Sequence, residues 1–313
     1  MNSDNFVRAE SDLYFSAVAA RGRFGKIGHD RVMTPLDKQA IIRMNRDTLY
    51  SSAVFDLDAG PVTVTLPDTR RRFISMQVFD QNHYTHGVYY RLGTYTFTRE
   101  EIGTRYVFPG IRILVNPEDP KDMKAVHELQ DKITAEQPGG PGKFEIPDWD
   151  SASRDKTRAI ILQLGAALPD TRGMFGAKDQ VDPVRHFIGS AMAWGGNPEE
   201  DALYLNRTVA KDDGKTVYGV KVTDVPVNGF WSISVYNAKG LYQPNASNAY
   251  TINNLTAAKD ADGSVTVQFG GCDGKMANCL PTPEGWNYMV RLYRPKANIL
   301  NGSWSFPVAE ELK

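Results

Sequence analysis

A chain of 313 residues is long enough for two ordinary domains, and 36 Lys and Arg against 37 Asp and Glu leave a formal net charge of −1. With no basic stripe and no block of like charge, the sequence excludes the electrostatic footprint of a nucleic-acid or anionic-membrane binder. Its longest apolar runs, such as AIILQLGAAL at 159–168, reach about half the length of a bilayer-spanning helix.

The opening MNSDNFVRAESDLYFSAV is polar and acidic, unlike a signal peptide. Phe6, Ala9, Leu13 and Ala17 recur at helical spacing over 4–20, with Ser3 or Asp4 as cap and Gly22 at the end. From 39 to about 115 the texture is β, in VTVTL, FISMQVF, TYTF and YVFPGIRILV, separated by Gly, Pro, Asp and Asn. Asp119 and Pro120 then open a helix with Met123, Val126, Gln130 and Ile133 along one side, closed by PGGPG. A second helix is expected from Arg154 to Leu168, and a third from the cap Asp182 and Pro183 to Gly195–Gly196. From about 201 to 308 the chain reads as β again. There, Cys272 and Cys279 share a Gly- and Pro-rich loop, where a disulfide and two free thiols are both open readings.

The two β regions echo one another. RRFISMQVFDQN (71–82) aligns without gaps on NGFWSISVYNAK (228–239), matching Phe73, Ser75, Val78, Phe79 and Asp80 with Phe230, Ser232, Val235, Tyr236 and Asn237. MNRD (44–47) echoes LNRT (205–208), and IRILVNP (111–117) echoes VRLYRP (290–295). A duplicated β-domain is the expectation. Strand alternation puts Ile74, Met76 and Val78, with Trp231, Ile233 and Val235, on the core faces. The opposite face, with Phe73, Ser75, Gln77 and Phe79, is expected to be half-solvated or to line a cavity. The fold class expected is mainly β: two tandem jelly-roll-like β-sandwich domains joined by a helical connector, with an N-terminal helix. Boundaries are placed at 1–118, 119–198 and 199–313.

Chemistry concentrates in FISMQVFDQNHYTH, 73–86. If the strand runs on past Asp80, His83 and His86 point to opposite faces and cannot grip one ion, so no metal site is expected. Asp80 and His83 are read as an acid–base pair, against the plainer reading that Asp80 caps a turn as Asn237 would in the copy. In MNRDTLYSS, Arg46 with Asn45 is a candidate anion fork, and Asp47 and Tyr50 are candidate proton carriers. The alternative is a tight turn held by side-chain hydrogen bonds. In EGWNYMVRLYRP, Trp286, Tyr288 and Arg291 suit stacking on a sugar ring or holding an anion, against a cross-strand aromatic ladder. No phosphate loop, dinucleotide motif or Gly-x-Ser-x-Gly elbow is present, and no cofactor is expected.

NRDTLYSSAVFDLDAGPVTVTLPD with SMQVFDQNHY, followed by NGFWSISVYNAKGLYQPN, GWNYMVRLYRP and GSWSFP, resembles the bacterial domain pair DUF1254 and DUF1214. The resemblance covers about 5 to 309 and implies two jelly-roll-like sandwiches joined by helices, with no established reaction and no catalytic residues to carry over. Members often carry a secretory leader, which leaves the compartment open between cytoplasm and periplasm. Two functions remain. One is a cofactor-independent enzyme acting on a small polar or anionic substrate by acid–base chemistry; the other is a carbohydrate- or small-molecule-binding module without catalysis. Stacked sandwiches also suit a homo-oligomer.

Overall fold

Segments with period-two alternation form strands, and the Asp-capped segments form helices. The computed structural model describes residues 1–39, 42–168 and 170–313. They divide into two compact units, Met1–Val32 with Thr48–Glu199, and Met33–Asp47 with Glu200–Lys313. The helical stretch expected as a connector therefore lies inside the first unit, and the segment 33–47 lies inside the second.

The first unit opens with α1 (Phe6–Val18), whose N-cap is Asn5 rather than Ser3 or Asp4. A π turn at Ala19–Arg23 follows, where Gly22 takes φ 74°, a conformation that costs glycine little. α1 buries Phe6, Ala9 and Phe15, but also Glu10, Ser11 and Asp12. These acids have partners: Arg158 lies 2.6 Å from Glu10, and Asp12 accepts from Gln81 Nε2 (2.8 Å) and Trp149 Nε1 (2.9 Å).

The strands of this unit are β1 (Gly28–His29), β2 (Thr48–Ser52), β3 (Phe55–Asp56), β4 (Val62–Leu66), β5 (Ile74–Asp80), β6 (Thr85–Tyr89), β7 (Gly93–Phe97), β8 (Tyr106–Leu114) and β9 (Thr134–Glu136). One sheet runs β1-β2-β8-β5-β6, with β3 also on β8, and the other runs β7-β4-β9. Along β4, Val62, Val64 and Leu66 are buried while Thr63 and Thr65 pair with threonines of β7. The helices are α2 (Arg99–Ile102), α3 (Pro120–Gln130), α4 (Ser151–Gly165) and α5 (Pro183–Met192). Asp119 caps α3 and Asp182 caps α5, each with Pro at the first helical position as the sequence predicts. α4 begins earlier than Arg154 because Asp150 accepts from Ser153 N and caps the turn before it.

The second unit contains β10 (Ala202–Arg207), β11 (Tyr218–Val222), β12 (Trp231–Tyr236), β13 (Thr251–Asn253), β14 (Val265–Phe269), β15 (Cys279–Leu280), β16 (Asn287–Tyr293) and β17 (Glu310–Glu311), with the short α6 (Ala297–Leu300). Its sheets run β10-β16-β12-β13 and β15-β14-β11-β17. The aliphatic and aromatic side chains of β11, β12, β14 and β16 meet in one core. Cys272 and Cys279 are joined in a disulfide, which decides between the two readings of that loop. The fold is mainly β, and among the described residues no helix is long and apolar enough to cross a membrane.

The first unit's β2-β8-β5-β6 and the second's β10-β16-β12-β13 share strand order. Arg112 lies across from Tyr50 and Ser75, as Arg291 lies across from Tyr204 and Ser232. The echo of IRILVNP and VRLYRP is thus in structural register. That of MNRD and LNRT is not, because Asn206 and Arg207 lie within β10, whereas Asn45 and Arg46 precede β2.

β5 is buried along its whole length. Its polar face is not half-solvated, because Gln77 donates to Gly196 O (2.7 Å) and Thr85 Oγ1 (3.1 Å) and accepts from Arg112 (3.1 Å) under the 195–196 segment.

Candidate functional site

β5 stops at Asp80 for a local reason. The carboxylate Oδ1 accepts from Asn82 N (2.8 Å) and Tyr84 N (2.9 Å), which turns the chain within four residues. His83 takes φ 65° in that turn, a left-handed conformation uncommon outside glycine. β6 then returns with a bulge. Val78 pairs with Gly87 and Phe79 with Thr85, which leaves His86 as the extra residue. Bulges re-aim side chains, and this one brings His86 Nε2 to 3.1 Å from Asp80 Oδ2.

Asp80, Asn82, Tyr84 and His86 line a cleft of about 330 Å³, completed by Glu101 and Lys178 among others. This volume lies at the small end of ligand sites. Asp80 is buried at its base, and the His86 side chain is about one-quarter exposed. His86 Nδ1 makes no hydrogen bond to the protein among the described residues. Burial, reinforced by the charge of Asp80, pushes the Tyr84 phenol above its ordinary range.

His83, expected as the partner of Asp80, is not in the cleft. It is 1% exposed and packs against Phe79, Phe175, Trp194 and His186. Its Nε2 accepts from Gly195 N (2.8 Å), so the ring is neutral with its proton on Nδ1, which has no partner among the described residues. The expected Asp80–His83 pair is thus replaced by Asp80–His86, because the strand ends in a turn instead of continuing.

Burial, and secondarily the neighbouring His186, holds His83 well below the usual histidine range. The unfolded chain takes up a proton on this residue near pH 6.5 while the folded chain refuses it. The unfolded state therefore binds more protons in acid, and stability is lost as pH falls below about 6.5, by ~1.4 kcal/mol per pH unit from this residue. Between pH 7.5 and pH 5.5 the urea-denaturation midpoint is expected to fall further, or rise less, in wild type than in His83→Gln, because only the unfolded chain protonates this ring. An identical pH dependence in the two proteins would contradict a buried neutral ring.

The remaining predicted residues do not join the cleft. Tyr50 lies on β2, separated from β6 by β8 and β5, under the Arg112 guanidinium at 5.7 Å. Asn45, Arg46 and Asp47 belong to the second unit. There Asn45 Nδ2 donates to Tyr293 OH (3.1 Å) and its Oδ1 accepts from Asp47 N (2.7 Å). Arg46 lies over Tyr250 (5.3 Å) and Tyr242 (5.9 Å) and donates to Thr34 O. Asp47 Oδ1 accepts from Thr251 Oγ1 (2.9 Å) and Asn253 Nδ2 (3.0 Å). Arg46 and Asp47 thus have partners of their own within the second unit.

Trp286 and Tyr288, each 1% exposed, are core residues, which removes them as a sugar platform. Arg291, 2% exposed, donates to Ser234 Oγ (2.9 Å), Tyr236 OH (2.6 Å), Arg43 O (2.7 Å) and Met44 O (3.2 Å). It pins the segment ahead of Asp47 instead of offering itself to an anion.

Glu101, Tyr84 and Lys178 of the cleft are not among the residues expected from the sequence. Glu101 had a readable signal, since Thr98-x-x-Glu101 is a capping box. Tyr84 and Lys178 carry none. Among the described residues, no group of three or more His, Cys, Asp or Glu side chains is placed to hold a metal ion.

Two family models match, DUF1254 over residues 24–137 and DUF1214 over 201–297, both described as protein of unknown function. The chain is similar in fold to the crystal structure of the VPA0106 protein from Vibrio parahaemolyticus, with TM-score 0.77, 17% identity, and coverage of 99% of this chain and 97% of that one. It is also similar to a putative uncharacterized protein from Burkholderia cenocepacia, with TM-score 0.55, 12% identity, and coverage of 99% and 87%. No curated protein matches.

Proposed function

We propose, for a chain that belongs to the family pairing DUF1254 with DUF1214, that the Asp80–His86 cleft is a cofactor-independent acid–base site for a small polar or anionic substrate. The supporting observation is the doubly anchored carboxylate. Asp80 Oδ1 is fixed by two backbone N–H groups while Oδ2 meets His86 Nε2 at 3.1 Å. An aspartate so held keeps the imidazole proton on Nε2 and leaves Nδ1 as the base. Lys178 on the rim takes the anion-anchoring role that the sequence assigned to Arg46. Glu101 gives the same rim a carboxylate, which favours substrates carrying both an acidic and a donor group.

The shared strand order and the repeated Tyr–Arg–Ser row support reading both units as jelly-roll-like sandwiches from one duplicated ancestor. The Cys272–Cys279 disulfide supports an oxidising compartment.

An untargeted metabolite screen against purified protein tests the reading. Turnover of the hit is expected to fall at least about 100-fold in His86→Ala, with a loss of similar order in Asp80→Asn. Turnover that survives both substitutions removes the assignment. Binding without turnover in the wild type would favour the second reading, a small-molecule-binding module, at this cleft instead of at Trp286 and Tyr288.

A further inference from the structure

We infer that His186 is a buried imidazolium clamp, protonated on both ring nitrogens, that ties the 82–86 turn to the 174–178 loop and so holds two walls of the cleft together. α5 buries this ring to 4% exposure. Its Nδ1 lies 2.9 Å from Met174 O and its Nε2 3.0 Å from Asn82 O. A carbonyl oxygen only accepts, and a neutral imidazole has one N–H to give. Either neutral tautomer would aim a nitrogen lone pair at a carbonyl lone pair within hydrogen-bond distance. The doubly protonated ring satisfies both contacts, and charge-assisted bonds of this kind offset part of the cost of burying the charge.

The ring's faces agree. Tyr84 stacks on one side at 4.6 Å and 10°, offering its π face to the cation. His83 lies toward the ring at 5.6 Å and is neutral, its Nε2 being occupied by Gly195 N–H, so it adds no opposing charge. Other charged groups near this packing have their own partners. Arg8 of α1 donates to Asn82 Oδ1, Arg158 of α4 pairs with Glu10 of α1, and Asp80 of β5 holds His86. On α5 itself, Arg185 pairs with Asp170 and the cap Asp182 accepts from Val184 and Arg185 N–H.

Both clamped carbonyls serve the cleft. Asn82 lines it directly, and Met174 begins the loop that delivers Ala177 and Lys178. Thr85 N donates to Gly176 O (2.9 Å) and ties the same two segments a second time. The clamp is independent of whether the cleft turns over a substrate.

The test is the ¹⁵N spectrum of the histidine rings in labelled full-length protein at pH 7.5, where a free histidine is ~90% neutral. Substituting Gln at His29, His86 and His127 in turn identifies their signals and leaves those of His83 and His186. One of these two is expected to show both nitrogens protonated, and the other the split pair of a neutral tautomer. Two neutral rings would overturn the inference. His186→Gln is expected to raise amide exchange about 10-fold or more at Tyr84–His86 and Gly176–Lys178, with β11 and β14 unaffected. Unchanged exchange at those amides in a folded variant would remove the clamp.

Discussion

Replacing Arg291 by alanine is expected to destabilise the second unit by about 4 kcal/mol, because breaking a buried charged network leaves its partners unpaired. Four groups lose a donor at once: Ser234 Oγ, Tyr236 OH, Arg43 O and Met44 O. The carbonyls are the costly part, since Met44, with Leu36, packs against the cluster of Tyr236, Tyr242 and Met289. Arg291→Lys keeps the charge but not the fork, and is expected to recover only part of the loss. Urea denaturation followed by tryptophan fluorescence measures both. A change below about 1 kcal/mol in Arg291→Ala would mean that the network is dispensable. A rise in midpoint with added phosphate in wild type but not in Arg291→Lys would instead restore the anion-binding role.

Trp286→Ala is expected to cost about 4 kcal/mol, in the range for emptying a large aromatic site in a core. Its ring stacks on Phe269 at 5.3 Å and meets Tyr218 edge-on at 5.9 Å, with Tyr288 alongside at 6.1 Å. Among the described residues the indole Nε1 has no hydrogen-bond partner, so Trp286→Phe forfeits volume without a polar penalty and is expected to cost less than half as much. The contrast with a sugar platform is direct. A platform tryptophan loses glycan binding and keeps stability, whereas this one loses stability. Thermal denaturation of the two variants separates the cases, and a near-wild-type Tm for Trp286→Ala would contradict its place in the core.

Legibility in the sequence followed the range of the interaction. Asp119–Pro120 and Asp182–Pro183 were readable as helix starts because a cap is made by neighbours two or three residues away. Ile74, Met76 and Val78 were readable as core because alternation is local. The aromatic–Arg strand 287–293 was harder, since alternating aromatic residues look alike on a strand facing solvent and on one covered on both sides. Asp80 is readable as a strand-end carboxylate, but its histidine partner is not. Choosing His86 over His83 depended on a turn and a bulge that need β5 and β6 paired.

Sequence alone determined the mainly β character, the starts of α3 and α5 and the two-domain family, because each rests on contacts or patterns a few residues long. Only tertiary structure decided which histidine meets Asp80, that Arg46 and Asp47 go with the second unit, and that Trp286 is core. Those outcomes turn on which segments, distant along the chain, cover a given face. A covered face and a bare one can be written in the same residues.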